Sequence, residues 1–397
     1  MNKLEQDLKE NNQIEEKKSL NIKKVITLVM ILLLICAIIW VVIEYIMNEP
    51  FRANIDKYLF MKEIQEDETK SIIIENENNS FVCVYDRYIG ILSNNVLNVY
   101  NRYAKKEMEF SLTITNPIFE SNNNYLAVGE KNGEKIYMIK GKNMIWQADV
   151  DGQITKITVN RNGYVAISMI QTSNKAAVVV YNSEGKELFK THLSNTYAID
   201  TDISVDNKYL TIAEVNITGT SIQSNIKIIS FDKVQSDPEN AIIYNQTSDT
   251  GKLIISLKYC DDGSLMCMYD NEITMIVDGI ENKVIEYDND TLFANINMNK
   301  KIVEISNSQD MNNSDSVVRI VDVINKNEKN YTISDIPKEL LVKNNKITVN
   351  TGMYAYFINS YGMLIKKYIS KQEIKEIVMG DYIAAIVYRN KVNIVEL

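Results

Sequence analysis

The chain has one histidine, His192, among 397 residues, so a site needing two imidazoles, as most catalytic zinc centres do, cannot be built within it. Its 4 cysteines show no Cys-x-x-Cys spacing, which excludes a zinc ribbon and a dithiol redox motif. Walker, GxGxxG, GxSxG and EF-hand patterns are missing too, and no cofactor is implied. No segment concentrates lysine or arginine, and 43 basic against 52 acidic residues leave a net charge of -9. Nucleic acid is therefore excluded as a partner. What is present, 45% hydrophobic and 24% charged residues, is globular in composition. It is more chain than one ordinary compact domain uses, unless the fold is repetitive.

Charge is also missing from the stretch Val25 to Ile43, which runs for 19 residues without an ionisable side chain other than Cys36. A helix of that length spans roughly 30 Å, the hydrocarbon thickness of a bilayer. No small-x-small cleavage pair follows the run, and Leu34 and Ile35 precede Cys36 where a lipoprotein signal would carry a small residue. The segment therefore reads as an uncleaved anchor over 25–47. Lys17, Lys18, Lys23 and Lys24 precede it and Glu44 and Glu49 follow, which places the N-terminus in the cytoplasm and the rest outside the cell membrane. Residues 1–24 form the cytoplasmic tail, with six lysines and five acidic residues. Phe51, Ile55 and Leu59 then recur at helical spacing, which predicts a stalk helix over 48–70.

From Ser71 the periodicity becomes that of β-strands. One hairpin recurs, an apolar run, a polar turn and a second apolar run, as in VYDRYIGILS (Val84 to Ser93), FESNNNYLAV (Phe119 to Val128) and VNRNGYVAIS (Val159 to Ser168). Five further copies begin at Val205, Cys260, Met298, Val342 and Val378, so the repeat starts roughly every 35 to 55 residues. A second hairpin follows in each unit, giving four antiparallel strands, a to d. Such a unit cannot bury its faces alone and must stack into a ring. The reading is an all-β propeller over 71–397 with about eight four-stranded blades, seven being the alternative. The last unit ends after strand c at Leu397, and Ser71 to Glu75 has no hairpin partner of its own. That N-terminal strand is expected to close the ring as the missing strand d. A pair of β-sandwiches would need a linker rich in Pro, Gly or Ser, and none follows Ser71.

Three segments, FRANIDKYLFMKE after the anchor, Ile114 to Ile139 (ITNPIFESNNNYLAVGEKNGEKIYMI) and Lys186 to Ser230 (KELFKTHLSNTYAIDTDISVDNKYLTIAEVNITGTSIQSNIKIIS), carry a resemblance. Through them nearly the whole chain resembles an uncharacterised clostridial (Firmicutes) family of single-pass membrane proteins, a domain of unknown function. The resemblance implies an anchor plus a propeller-like outer domain and no activity.

Candidate sites come from two places. Asp200 and Asp202 in YAIDTDIS lie two apart on a strand and share a face, so they could hold a cation; their alternative role is bonding turn amides and lysines. Long polar b–c loops on the face away from the membrane supply candidate binding residues: Gln171 and Asn174, then Thr220, Gln223 and Asn225, then Gln309, Asp310 and Asp315 in the loop that ends at Ser316. The two tryptophans, Trp40 and Trp146, are too few for the docking repeats of quinoprotein propellers. The chain therefore reads as a membrane-anchored binding or scaffolding module that meets a protein or envelope polymer on its distal face. The alternative is a hydrolase or lyase acting on an envelope carbohydrate or lactone through channel carboxylates.

Overall fold

The computed structural model describes residues 22–48, 51–52, 55–60, 62–74, 79–171, 176–193, 195–216, 222–287, 290–307 and 315–397. The chain divides into two compact units, Met1–Met61 and Lys62–Leu397. In the first, helix α1 (Ile22–Met47) is long and apolar enough to cross a membrane. Its apolar side chains, from Val25 to Val42, are exposed on every side, which suits lipid better than a protein core.

In the second unit the described strands form eight sheets arranged as the blades of a propeller. Blades 1 to 7 occupy residues 80–111, 117–149, 153–193, 197–247, 254–286, 291–333 and 339–369. Blade 8 joins three C-terminal strands, within 376–396, to Lys70–Ile73. Each recurrent hairpin of the sequence is the a–b pair of one blade. The turns use residues that tolerate left-handed backbone, such as Asn344 and Asn345 at φ 44° and 61°.

Among the described residues the core consists of eight apolar clusters, one at each junction between successive blades. Middle strands serve two junctions at once. On strand b of blade 3 (Val165–Ile170), Val165, Ile167 and Met169 pack toward blade 2 while Ala166 packs toward blade 4. Such strands are buried on both faces and read as unbroken apolar runs.

The ring closes where Lys70–Ile73 pairs antiparallel with strand c of blade 8 (Lys391–Glu396), from Lys70 opposite Ile394 to Ile73 opposite Lys391. Ile72 and Ile74 enter the cluster between blades 8 and 1. Beside the closing strand, the buried Glu66 carboxylate accepts hydrogen bonds from the Lys371 amide at 2.8 Å, Ser370 Oγ at 3.2 Å and Lys391 Nζ at 2.5 Å. Burial raises the Glu66 pKa, but these donors, Lys391 foremost, outweigh it and hold the group below its ordinary range.

Two local expectations differ from the structure. Among the described residues of 48–70 the expected stalk helix does not run through: Phe51 and Arg52 are helical, Ile55–Leu59 is a π-helical turn, Glu63–Gln65 a strand and Glu66–Glu68 a 3₁₀ turn. The strand lies parallel on the outer edge of blade 7, whose unpaired backbone groups it satisfies, and that gain outweighs a helical continuation. The sequence pattern after Ser71 is that of strands throughout, yet a short helix, α2 (Phe231–Ser236), interrupts the c–d connection of blade 4. Phe231 anchors it edge-on to Phe189 of blade 3, with ring centroids 5.3 Å apart.

Closure by alternate side chains predicts an asymmetric pair of variants. Ile72 is 5% exposed and Ile73 67% exposed, so Ile72→Ala should cost about 2–4 kcal/mol in urea denaturation while Ile73→Ala changes stability by less than about 0.5 kcal/mol. Because the Glu66 pKa is depressed on folding, its contribution is present at neutral pH and is lost as pH falls through the carboxylate range. Glu66→Gln should therefore flatten the acid limb of the stability–pH curve; an unchanged limb would contradict the assignment.

Candidate functional site

The innermost strands line a central channel, and their alternate side chains point into it. A cavity of about 390 Å3 is bounded by Glu120 of blade 2, Lys258 of blade 5, Asn295 and Asn297 of blade 6, Glu339 and Lys343 of blade 7 and Glu376 of blade 8. A second cavity, of about 340 Å3, lies at the asparagine-rich a–b turns, and both are lined by Asn122, Lys258, Asn297 and Asn344. Together they make one polar passage opening on the a–b face.

Asp200 and Asp202 stand on strand a of blade 4 (Tyr197–Ile203), and both are buried. Asp200 Oδ2 accepts from the Leu257 amide at 2.8 Å and from Ser256 Oγ at 2.9 Å, while Lys156 Nζ lies 2.6 Å from Oδ1. Asp202 Oδ2 accepts from the Tyr259 amide at 2.7 Å, with Lys258 Nζ at 3.3 Å. The pair thus clasps strand a of blade 5 (Ile254–Tyr259), whose inner-edge amides have no ladder partner on that side. Burial pushes the Asp202 carboxyl upward and the Lys258 ammonium opposes it; Asp202 in turn raises the Lys258 pKa. Among the described residues no group of three or more His, Cys, Asp or Glu side chains is placed to hold a metal ion.

Neighbouring inner strands are stitched in the same way elsewhere. Thr158 Oγ1 donates to the Thr201 carbonyl at 3.0 Å, Asn122 Nδ2 to that of Val159 at 3.1 Å, and Ser121 Oγ to that of Val84 at 2.8 Å. Lys343 reaches across the channel, and its Nζ donates to Ser121 Oγ at 2.7 Å. Among the described residues no donor meets the Glu120 carboxyl, and burial pushes its pKa up to about 7 against the pull of Lys343 and Lys258. Burial likewise lowers the Lys343 pKa.

Of the loop residues expected to bind a partner, Gln171, Gln223, Asn225 and Asp315 are among the described residues. Gln171 is buried, and its Nε2 donates to the Asp151 carbonyl at 3.2 Å. Gln223 and Asn225 belong to strand c of blade 4 (Gln223–Ser230), because pairing to strand b continues to Asn216. Asn225 Nδ2 donates to Asn245 Oδ1 at 2.9 Å, and Gln223 Nε2 to Thr250 Oγ1 at 3.3 Å. Asp315 is half-buried just before strand c of blade 6. Asn174, Thr220, Gln309 and Asp310 lie outside the described residues. Cys83, Cys260 and Cys267 are buried free thiols.

Sequence reasoning missed Glu120, Lys258, Lys343 and Glu376. A signal existed for three of them: Glu120, Lys258 and Lys343 stand among the last residues of strand a before its turn, where an ordinary buried strand would carry an apolar residue, whereas Glu376 opens its strand a at the opposite end.

The chain belongs to a family of unknown function (DUF5711), whose match covers residues 44–397. A comparison with curated proteins finds no match. Among solved structures, BamB from Moraxella catarrhalis is similar at a TM-score of 0.51 and 9% identity, over 83% of this chain and 98% of that one. The C-terminal WD40 domain of Sif2 is similar at 0.56 and 14% identity, over 83% and 99%. At those identities the likeness concerns the propeller fold.

Glu120 sets a pH dependence of opposite sign to that of Glu66. Between its ordinary value of 4.5 and the folded value of about 7, the folded state holds a proton that the unfolded chain has lost, so stability falls as pH rises through this window. Glu120→Gln should remove that slope and be more stable than the parent at pH 8 by on the order of 1–3 kcal/mol, with little difference near pH 4. Denaturation series across pH measure it, and an unaltered slope would refute the assignment. Asp202→Ala, which strands Lys258 and the Tyr259 amide, should cost about 2–4 kcal/mol in the same assay.

Proposed function

We propose that this member of a family of unknown function is a single-pass membrane protein whose propeller acts outside the cytoplasm as a binding or scaffolding module. One observation carries the reading: a single chain joins lysines, an uninterrupted apolar helix and a closed ring, in that order. The lysines before α1 orient it with the tail inside, in keeping with the retention of positive charge in the cytoplasm. Asp200 and Asp202, which an enzyme reading would use, have oxygens engaged by backbone amides and lysines, so no reaction is assigned to them.

The partner surface is the face that carries the b–c connections, directed to a protein or an envelope polymer. Ile170, Ile222 and Met353 are exposed at the ends of those connections on blades 3, 4 and 7 and give the face apolar area. The rigid ring behind them would hold such contacts in fixed register.

Topology is tested by labelling a cysteine on intact cells. Tyr361 is 67% exposed on blade 7, whereas three native thiols are buried and Cys36 lies within the apolar helix. Tyr361→Cys should react with a membrane-impermeant maleimide without lysis, and Ser19→Cys only after lysis. The reverse pattern would overturn the proposed orientation.

A further inference from the structure

The channel holds opposite charges at separate levels along its axis. Glu339 opens strand a of blade 7 (Glu339–Lys343) and Lys343 ends it, four residues on, about 13 Å apart along an extended strand. Glu376 stands on the neighbouring strand a of blade 8 (Glu376–Met379) and bounds the same cavity as Glu339. Glu339 receives one contact, from Asn350 Nδ2 at 3.4 Å, and Glu376 has no hydrogen-bond or ion-pair partner among the described residues. At the other level Lys343 spends one of its three donors on Ser121, and Lys258, whose Nζ lies 3.3 Å from Asp202 Oδ2, adds a second ammonium with donors to spare. Asn295, whose Oδ1 accepts from the Asn297 amide at 2.8 Å, lines the wall between the levels, and so does Glu120, whose carboxyl meets no donor among the described residues.

An open-ended passage with carboxylates at one level, ammonium groups at the other and the Asn295 amide nitrogen and Glu120 carboxyl between them is matched by a ligand of the opposite polarity. A single cation would leave Lys343 unanswered, and a simple anion would leave Glu339 and Glu376 unanswered. A sugar would match the amides but neither charge. The cavity of about 390 Å3 admits a small polar molecule. Two or three extended residues, at most about 3.5 Å each, bridge the levels once the reach of the lysine and glutamate side chains is counted.

We infer that the channel binds a short zwitterionic peptide of two or three residues, its terminal ammonium at Glu339 and Glu376 and its terminal carboxylate at Lys343 and Lys258. Asn295 and Glu120 meet its peptide groups. This goes beyond the scaffolding reading and does not depend on membrane orientation, since it concerns only the inside of the ring.

Titration calorimetry on the full chain in detergent micelles tests it, with L-Ala-L-Ala and D-Ala-D-Ala as probes, which separate peptides of the two hands. Blocked forms, N-acetyl-Ala-Ala and Ala-Ala-amide, remove one terminal charge each. At least one free dipeptide should bind, and each block should weaken binding by about tenfold or more, the loss of a charge-assisted hydrogen bond. Lys343→Met should abolish the difference between free dipeptide and amide, and Glu376→Gln the difference between free and acetylated forms. Lys343 braces the channel, so Glu376→Gln, which removes no bond found in the ring, keeps the test valid if Lys343→Met fails to fold. No heat from either free dipeptide at about 10 mM, far above the affinity of a dedicated site, overturns the inference. So do equal affinities for free and blocked forms, or affinities unchanged in Glu376→Gln.

Discussion

Every blade in this ring depends on one pairing between the two ends of the second unit, Lys70–Ile73 against Lys391–Glu396. A blade's sheet is finished only when its middle strands are covered on both faces, and each cover is supplied by the next blade. Because the apolar clusters lie at the junctions between blades, the protein has no single centre whose burial could hold an open ring together. Without the N-terminal strand, blade 8 would end on an unpaired edge and the junction with blade 1 would lose Ile72 and Ile74. The polar knot around Glu66 adds direction to this closure. Tyr388 and Ser370 are 2.7 Å apart at their oxygens, Tyr388 and Tyr368 2.8 Å, and Asn393 Nδ2 donates to Tyr368 at 3.0 Å, so these three buried hydroxyls are satisfied where the entering chain arrives.

The inner edge obeys a different rule from the junctions. Inner strands of neighbouring blades diverge too far to share a ladder, yet their edge amides and carbonyls still need partners. Short polar side chains bridge the gap, which explains why threonine, serine, asparagine and aspartate gather on strands a and their turns. Asparagine does so in two ways: it accepts left-handed backbone at the turn, as Asn207 does at φ 61°, and it reaches the next blade, as Asn160 Nδ2 does to Asn207 Oδ1 at 2.6 Å. A channel built this way is necessarily polar, and ionisable groups can be placed in it at modest cost because water still reaches them. Glu120 and Lys343 show the opposing pulls of that environment, enclosure favouring the neutral forms and mutual attraction the charged ones.

The ring was readable from the chain because its repeat is local. A hairpin turn needs Asn, Asp or Gly at fixed places, and eight such turns with apolar flanks mark the a–b pairs whatever else drifts. The unfinished last unit likewise revealed the closing strand. The short helix Phe231–Ser236 was not readable, since the rings that anchor it, Phe189 and Tyr164 against Phe231, come from another blade. The strand at Glu63–Gln65 was hidden for a similar reason: it exists because blade 7 offers an edge, and no pattern in EIQ announces that. The clasp made by Asp200 and Asp202 was half legible. Spacing put both carboxylates on one face, but the amides they meet, at Leu257 and Tyr259, lie 57 residues away and belong to the next repeat.

Closure also sets the order in which the molecule can be completed. Lys70 and Ile394 are partners separated by nearly the whole second unit, so this pairing carries the largest loop-closure entropy of any in the ring. The closing strand is made first and must wait until strand c of blade 8 exists. During that wait Ile72 and Ile74 are exposed on an unpaired strand, the kind of segment that invites pairing with the wrong chain. Two features limit the hazard. The strand has only four residues, opens on Lys70, and is followed at once by blade 1, whose four strands can form on their own sequence-local contacts. Glu66 also remains an ionised, solvated carboxylate until Lys391 and the Lys371 amide arrive, which disfavours burying this segment in any partner that lacks those donors. The same residue therefore favours the correct end of the chain and resists the incorrect ones, which is how a short closing strand can be specific without being long.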